Sequence, residues 1–120
     1  MKSLRVGVAC LFFAVFSASL VYGQGFNGAD TGKVQTVTVV QARGLSDNSL
    51  VILTGTIAQS LGNEKYTFRD STGDITVEID RDLWALLDIS IGTKDRVEIR
   101  GEIDIENRVT EIDVKFIKKL

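Results

Sequence analysis

Lys65-Tyr66-Thr67-Phe68-Arg69-Asp70-Ser71-Thr72-Gly73-Asp74-Ile75-Thr76-Val77-Glu78-Ile79-Asp80 reads as two alternating runs joined by a polar loop. Tyr66 and Phe68 alternate with Lys65, Thr67 and Arg69. Beyond Asp70-Ser71-Thr72-Gly73-Asp74, Ile75, Val77 and Ile79 alternate with Thr76, Glu78 and Asp80. Side chains of a strand point to opposite faces with a period of two, so this pattern predicts a β-hairpin with one buried face.

Working outward, the period changes after Asp80. Leu83, Trp84 and Leu87 fall at helical spacing, and Asp80 is placed to cap a helix over Arg81–Asp88. Trp84, the single tryptophan, reads as a core plug closing one end of the sheet, with ligand stacking as the alternative. A connector containing Gly92 leads to Arg96–Ile105, where Val97, Ile99, Ile103 and Ile105 alternate with Glu98, Arg100, Glu102 and Asp104. Thr110–Lys118 repeats the pattern, with Ile112, Val114 and Phe116 inward and Glu111, Asp113 and Lys115 outward. Upstream, Ser49–Ser60 predicts a long strand interrupted by Gly55, and Leu61–Glu64 a turn. Gly55 and Gly101 lie inside strands, where glycine marks a bulge or a sharp bend. Lys33–Leu45 predicts a short strand or extended piece followed by a short helix, with Thr38 as its N-cap and Gly44 as its stop.

The order is strand, strand, strand, helix, strand, strand, with bends at glycines. It predicts an all-β fold: a small five-stranded OB-fold barrel with one short helix between strands three and four and a short N-terminal helix. The alternative architecture is an open five-stranded sheet with a helix on one face.

The N-terminal stretch carries the pattern of an export signal. Met1–Arg5 is a basic n-region, Val6–Val21 an apolar run, and Val21-Tyr22-Gly23 a small-residue cleavage motif. This predicts an export signal over residues 1–23, cleaved near Gly23-Gln24, and a periplasmic product. The run is shorter than the roughly 20 residues of a membrane span, so an anchor is the weaker reading. Residues 24–32 read as a flexible glycine-rich arm and residues 33–120 as the OB-fold domain. Removing residues 1–23 of 120 leaves 97, carrying 12 basic and 16 acidic side chains, a net charge of −4.

Met1 and Cys10 are the sole methionine and cysteine, and the chain has no histidine. The exported domain therefore lacks soft and imidazole metal ligands and the usual nucleophile–base pairs. No catalytic residue and no cofactor is expected. Binding single-stranded nucleic acid needs a basic groove and exposed aromatics. A net negative domain with inward aromatics argues against it.

Tyr66-x-Phe68-x-Asp70-x-x-Gly73-x-Ile75-x-Val77-x-Ile79-Asp80-x-x-x-Trp84, Asp95-x-Val97-Glu98-Ile99-x-Gly101-Glu102 and Glu111-Ile112-Asp113-Val114 resemble the bacterial OB-fold (BOF) stress-tolerance family of YgiW/YdeI-like periplasmic proteins. The resemblance covers about Val39 to Lys118. The arm Gln24–Gly28 departs from it in lacking the family's usual proline. It implies a small periplasmic protein linked to tolerance of oxidant, metal, acid or antimicrobial-peptide stress, with a motif that is mainly structural.

Two surfaces carry the candidate binding residues. If Asn107-Arg108 is a two-residue turn, Asp104 lies opposite Glu111 and Glu102 opposite Asp113, with Arg100 and Lys115 paired beyond them. Four carboxylates would then share an outer, solvated patch suited to calcium, magnesium, a polyamine or a basic peptide. A turn at Glu106-Asn107 would instead set Arg100 opposite Asp113. The second surface is Lys65 and Arg69 beside Glu78 and Asp80, a cross-strand ion-pair face. The function expected is a non-catalytic binding module for a small cationic molecule. The alternative is a domain that docks on an envelope protein to modulate stress resistance.

Overall fold

The structure is a computed structural model, and it describes residues 33–87 and 90–120. The expected export signal and glycine-rich arm lie outside the described residues. Chain order is β1 (Val34–Thr36), α1 (Val39–Ala42), β2 (Leu50–Gly62), β3 (Lys65–Asp70), β4 (Gly73–Ile79), α2 (Arg81–Ala85), β5 (Arg96–Glu106) and β6 (Val109–Lys119).

The sheet runs β1-β2-β3-β4-β6-β5, and β5 pairs back onto β2. Strands β2 to β6 thus form a closed barrel, with β4 and β6 parallel and the other barrel pairs antiparallel. Closure removes the free edges that an open sheet would offer to other chains. Strand β2 makes it possible by being long. Leu50–Thr56 pairs with β5, and Thr56 onward pairs with β3. Gly55 sits at this handover. A Cβ there would lie 2.2 Å from the Arg69 carbonyl oxygen, so the two backbones approach as only glycine permits. Gly55 is a close-approach bend, not a bulge. The register breaks of β2 fall later, between Ile57 and Gln59 and between Ser60 and Gly62.

Val51, Leu53, Ile57, Phe68, Ile75, Val77, Ile79, Val97, Ile99, Ile103, Ile112 and Val114 fill the barrel. They are the inward members of the alternating runs. The expected hairpin forms from β3 and β4, pairing Phe68 with Ile75 and Tyr66 with Val77, and its ladder extends to Asp70 and Gly73, so the turn is shorter than the expected Asp70–Asp74 loop. Two-residue turns join β2 to β3 and β5 to β6. Asn63 and Glu64, and likewise Asn107 and Arg108, all have positive φ, the geometry of tight hairpins. The first turn is therefore shorter than the predicted Leu61–Glu64, because β2 continues to Gly62.

Thr38 caps α1 with a capping box, its hydroxyl accepting from the Gln41 N–H while the Gln41 side chain accepts from the Thr38 N–H. Arg43 is the C-cap, and Gly44 lacks the positive φ of a helix-ending glycine. Asp80 caps α2 by accepting from the Asp82 N–H. This helix ends at Ala85 rather than Asp88, since Leu86 already lies in its C-cap.

One inward assignment fails. β6 pairs Val114 with Gly101 but Phe116 with Arg100, so Lys115 is an extra residue in the ladder. An extra residue reverses every side chain beyond it. Ile117, not Phe116, enters the core, and Phe116 is 43% exposed.

Candidate functional site

The turn at Asn107-Arg108 sets the β5–β6 ladder, and the expected pairs form: Glu102 with Asp113 and Asp104 with Glu111. On the same outer face Asp113 lies beside Glu78 of β4, and Glu78 beside Lys65 of β3. On the other flank Glu102 meets Leu50 of β2. A single row thus crosses the barrel wall: Leu50, Glu102, Asp113, Glu78, Lys65.

The patch is not the solvated face expected. Glu102 is 1% exposed and Asp104 7%. Alternation assigns a residue to a face but does not say whether that face is covered. Here the loop before β2 runs along this part of β5. The Asn48 N–H donates to the Ile103 carbonyl, the Ile103 N–H to the Ser49 carbonyl, and the Ile105 N–H to the Asp47 carboxylate. Burial pushes the Glu102 carboxyl up to about 7. Lys115 opposes that rise, while the negative charges of Asp113, Asp104 and Asp47 add to it.

Arg100 and Lys115 do not pair, because the extra residue separates them. Lys115 turns back onto Asp113 at 3.1 Å, and Arg100 bonds Glu98 at 2.8 Å with its guanidinium 5.1 Å from the centre of the Phe116 ring. The second predicted surface is also redistributed. Lys65 stands opposite Glu78 in the ladder, yet its ammonium bonds Glu111 at 2.8 Å. Arg69 makes a two-pronged contact with Asp74, at 2.8 and 3.0 Å, which holds Asp74 below the usual carboxylate range. Asp80 is committed to the cap of α2. Lys65 therefore belongs with the acidic row, and Arg69 does not. Among the described residues no group of three or more His, Cys, Asp or Glu side chains is disposed to hold a metal ion.

A second feature escaped the sequence reading. A cleft of about 360 Å³ opens at one end of the barrel between β2, β3, α2 and the connector to β5. Tyr66 and Trp84 line it, with ring centres 5.5 Å apart in an edge-to-face arrangement, and the indole N–H donates to the Tyr66 hydroxyl at 3.0 Å. The far wall is Ile91-Gly92-Thr93. Asp95 pins that wall by accepting from the Gly92 N–H at 2.7 Å. This bond, aided by Lys119, holds the Asp95 carboxyl below its ordinary range despite some desolvation. The sequence signal was the pairing of an inward Tyr66 with a lone Trp84. Trp84 is only partly the plug it was expected to be: it packs on the core with one side open to the cleft.

Comparison with known proteins places this architecture. The chain is 40% identical over 83 residues to protein YgiW of Escherichia coli K12, covering 69% of this chain and 62% of YgiW. It is 39% identical over 83 residues to the calcium-regulated OB-fold protein CarO of Pseudomonas aeruginosa, covering 69% of this chain and 70% of CarO. An uncharacterized protein of Haemophilus influenzae is 34% identical over 112 residues, 89% of this chain and 91% of that protein. Among solved structures, that of E. coli YgiW superposes with a TM-score of 0.67 at 39% identity, over 71% of this chain and 89% of that one. The telomere capping protein Ten1 of Schizosaccharomyces pombe, at 20% identity and a TM-score of 0.57 over 72% of this chain and 81% of that one, shares the fold alone. The family described as bacterial OB fold (BOF) protein matches residues 15–119, and with the closed barrel and these relatives it follows that the chain belongs to the BOF family.

Proposed function

We propose that this BOF protein is a periplasmic, non-catalytic binding module that takes up a small organic cation, of polyamine type, on the outer face of β5, β6 and β4, as part of envelope stress tolerance. The supporting observation is the acidic row of the outer face, in which the partly exposed Asp113, Glu78 and Glu111 stand beside the buried Glu102 and Asp104. Neighbouring strands lie about 4.8 Å apart, so carboxylates on successive strands stand in line rather than around a point. A line of acids suits amines spaced along a flexible chain better than a single metal ion, in keeping with the absence of a metal-holding group among the described residues. Lys65 and Lys115 offset part of the charge of this row, through Glu111 and Asp113. The N-terminal export pattern supports the compartment.

Spermidine at low ionic strength should raise the melting temperature, an effect that saturates and that salt weakens by screening. A Glu102→Gln, Asp113→Asn double variant should lose that rise. An unchanged wild-type melting temperature would remove the support for this reading.

A second reading, docking on an envelope protein, is favoured by Phe116, which the extra residue in β6 turns outward beneath Arg100.

A further inference from the structure

The Tyr66–Trp84 cleft plays no part in the cation reading. Lys65 points outward to Glu111, while the adjacent Tyr66 points to the core side of β3. The two features therefore open on different faces of the barrel. We propose that the cleft is a binding site for a small, uncharged, planar ring compound carrying a carbonyl or ring-nitrogen acceptor.

Four observations carry this. The volume, about 360 Å³, lies within the range of small-molecule sites, near its lower end, and accommodates a ring system rather than a polymer. Its walls are Ile57 and Ile91 with the two aromatics, and an edge-to-face pair leaves ring surface open for a third ring to stack on. The described lining side chains carry no charge: beside the two isoleucines they are Gln59, Ser60, Tyr66, Trp84 and Thr93. Among the described lining residues an anion entering would find no cation, and a cation no carboxylate, so either would lose hydration without an opposite charge from them in return. Lastly, the Tyr66 oxygen accepts the indole proton, which leaves the phenol's own proton to donate. With Gln59 nearby, the polar edge of the cleft offers donors to a ligand acceptor.

The barrel strands supply Ile57 and Tyr66, α2 supplies Trp84, and Asp95 fixes the loop wall. The site is therefore held in shape before a ligand arrives, which lowers the ordering cost of binding.

The test exploits Trp84 as the only tryptophan of the chain. The purified protein is titrated with benzamide, benzamidinium and benzoate, three planar ligands of closely similar shape and three charges. Trp84 fluorescence and amide chemical shifts are followed. Benzamide should quench Trp84 saturably in the millimolar range and shift the amides of Gln59, Ser60, Tyr66, Trp84 and Gly92. The two ions should bind roughly ten-fold more weakly or worse. Tyr66→Phe should weaken benzamide several-fold, its fold being checked by amide dispersion. If that variant does not fold, the wild-type shift map and the charge comparison decide the matter. Linear quenching with scattered shifts, an equal response to all three compounds, or shifts confined to the Glu102–Asp113 row would each overturn the proposal.

Discussion

Glu102 concentrates the unusual chemistry of this barrel in one side chain. It lies on the polar face of β5, yet it is buried, and its carboxyl is pushed up to about 7. The folded state therefore holds a proton that the unfolded chain, with an ordinary carboxyl, gives up at lower pH. Stability from this group is fully present below the unfolded value and is lost as pH rises towards 7. The charges that bear on it are Asp113 and Lys115 from β6, Asp104 from its own strand and Asp47 from the loop. Glu102→Gln keeps the shape and removes the ionisation. The variant should melt close to wild type at pH 4 and clearly above it at pH 8. The gain should be on the order of 2 kcal/mol, taking about 1.4 kcal/mol per pKa unit and allowing for some screening by water. Thermal unfolding across pH measures it, and an equal offset at both pH values would contradict the mechanism. The pairing of Glu102 with Asp113 was legible in the sequence, because Asn107-Arg108 suits a tight turn and alternation does the rest. Its burial was not, because it depends on a loop more than fifty positions away.

At the scale of elements, the β5–β6 hairpin combines a regular part and an irregular one. From Glu106–Val109 back to Gly101–Val114 the ladder is unbroken, and then Lys115 is left over. Gly101 stands at that point, where an added Cβ would lie 2.2 Å from the Asp113 carbonyl oxygen and 2.9 Å from the Val114 Cα. Gly101→Ala should therefore force the two strands apart and cost about 1–3 kcal/mol or more. Gly44 makes the control: its added Cβ meets nothing closer than 3.7 Å and its φ is ordinary, so Gly44→Ala should be close to neutral. Denaturant midpoints for the two variants check the difference. The sequence marked Gly101 as a bend, since a glycine inside an alternating run has few other uses. It did not mark Lys115, because a bulged residue on a partner strand needs no special side chain. The inward placement of Phe116 failed for that reason, and so did the pairing of Arg100 with Lys115.

The whole molecule depends on the closure of one barrel around one core, with no disulfide to assist it, since Cys10 is the only cysteine. A domain of this kind has a net stability of roughly 5–15 kcal/mol. Val77 is fully buried, and its neighbour Thr76 lies on the other face of β4. Val77→Asp should place an uncompensated charge in the barrel and unfold the domain, whereas Thr76→Asp should remain folded with a modestly lowered melting temperature. Circular dichroism melts of the pair test the inside and outside of the whole sheet at once, and similar melting temperatures would contradict the register. The sequence by itself determined the barrel strands, the N-caps of both helices and, given a turn at Asn107-Arg108, the β5–β6 pairing from Gly101 to that turn. Each of these rests on local periodicity or turn chemistry, which a few neighbouring residues encode. Tertiary structure alone decided the burial of Glu102 and Asp104, the outward turn of Phe116, the partner of Lys65 and the cleft beside Trp84. These arise where separate strands and loops meet, and contacts between distant segments leave no period in the chain.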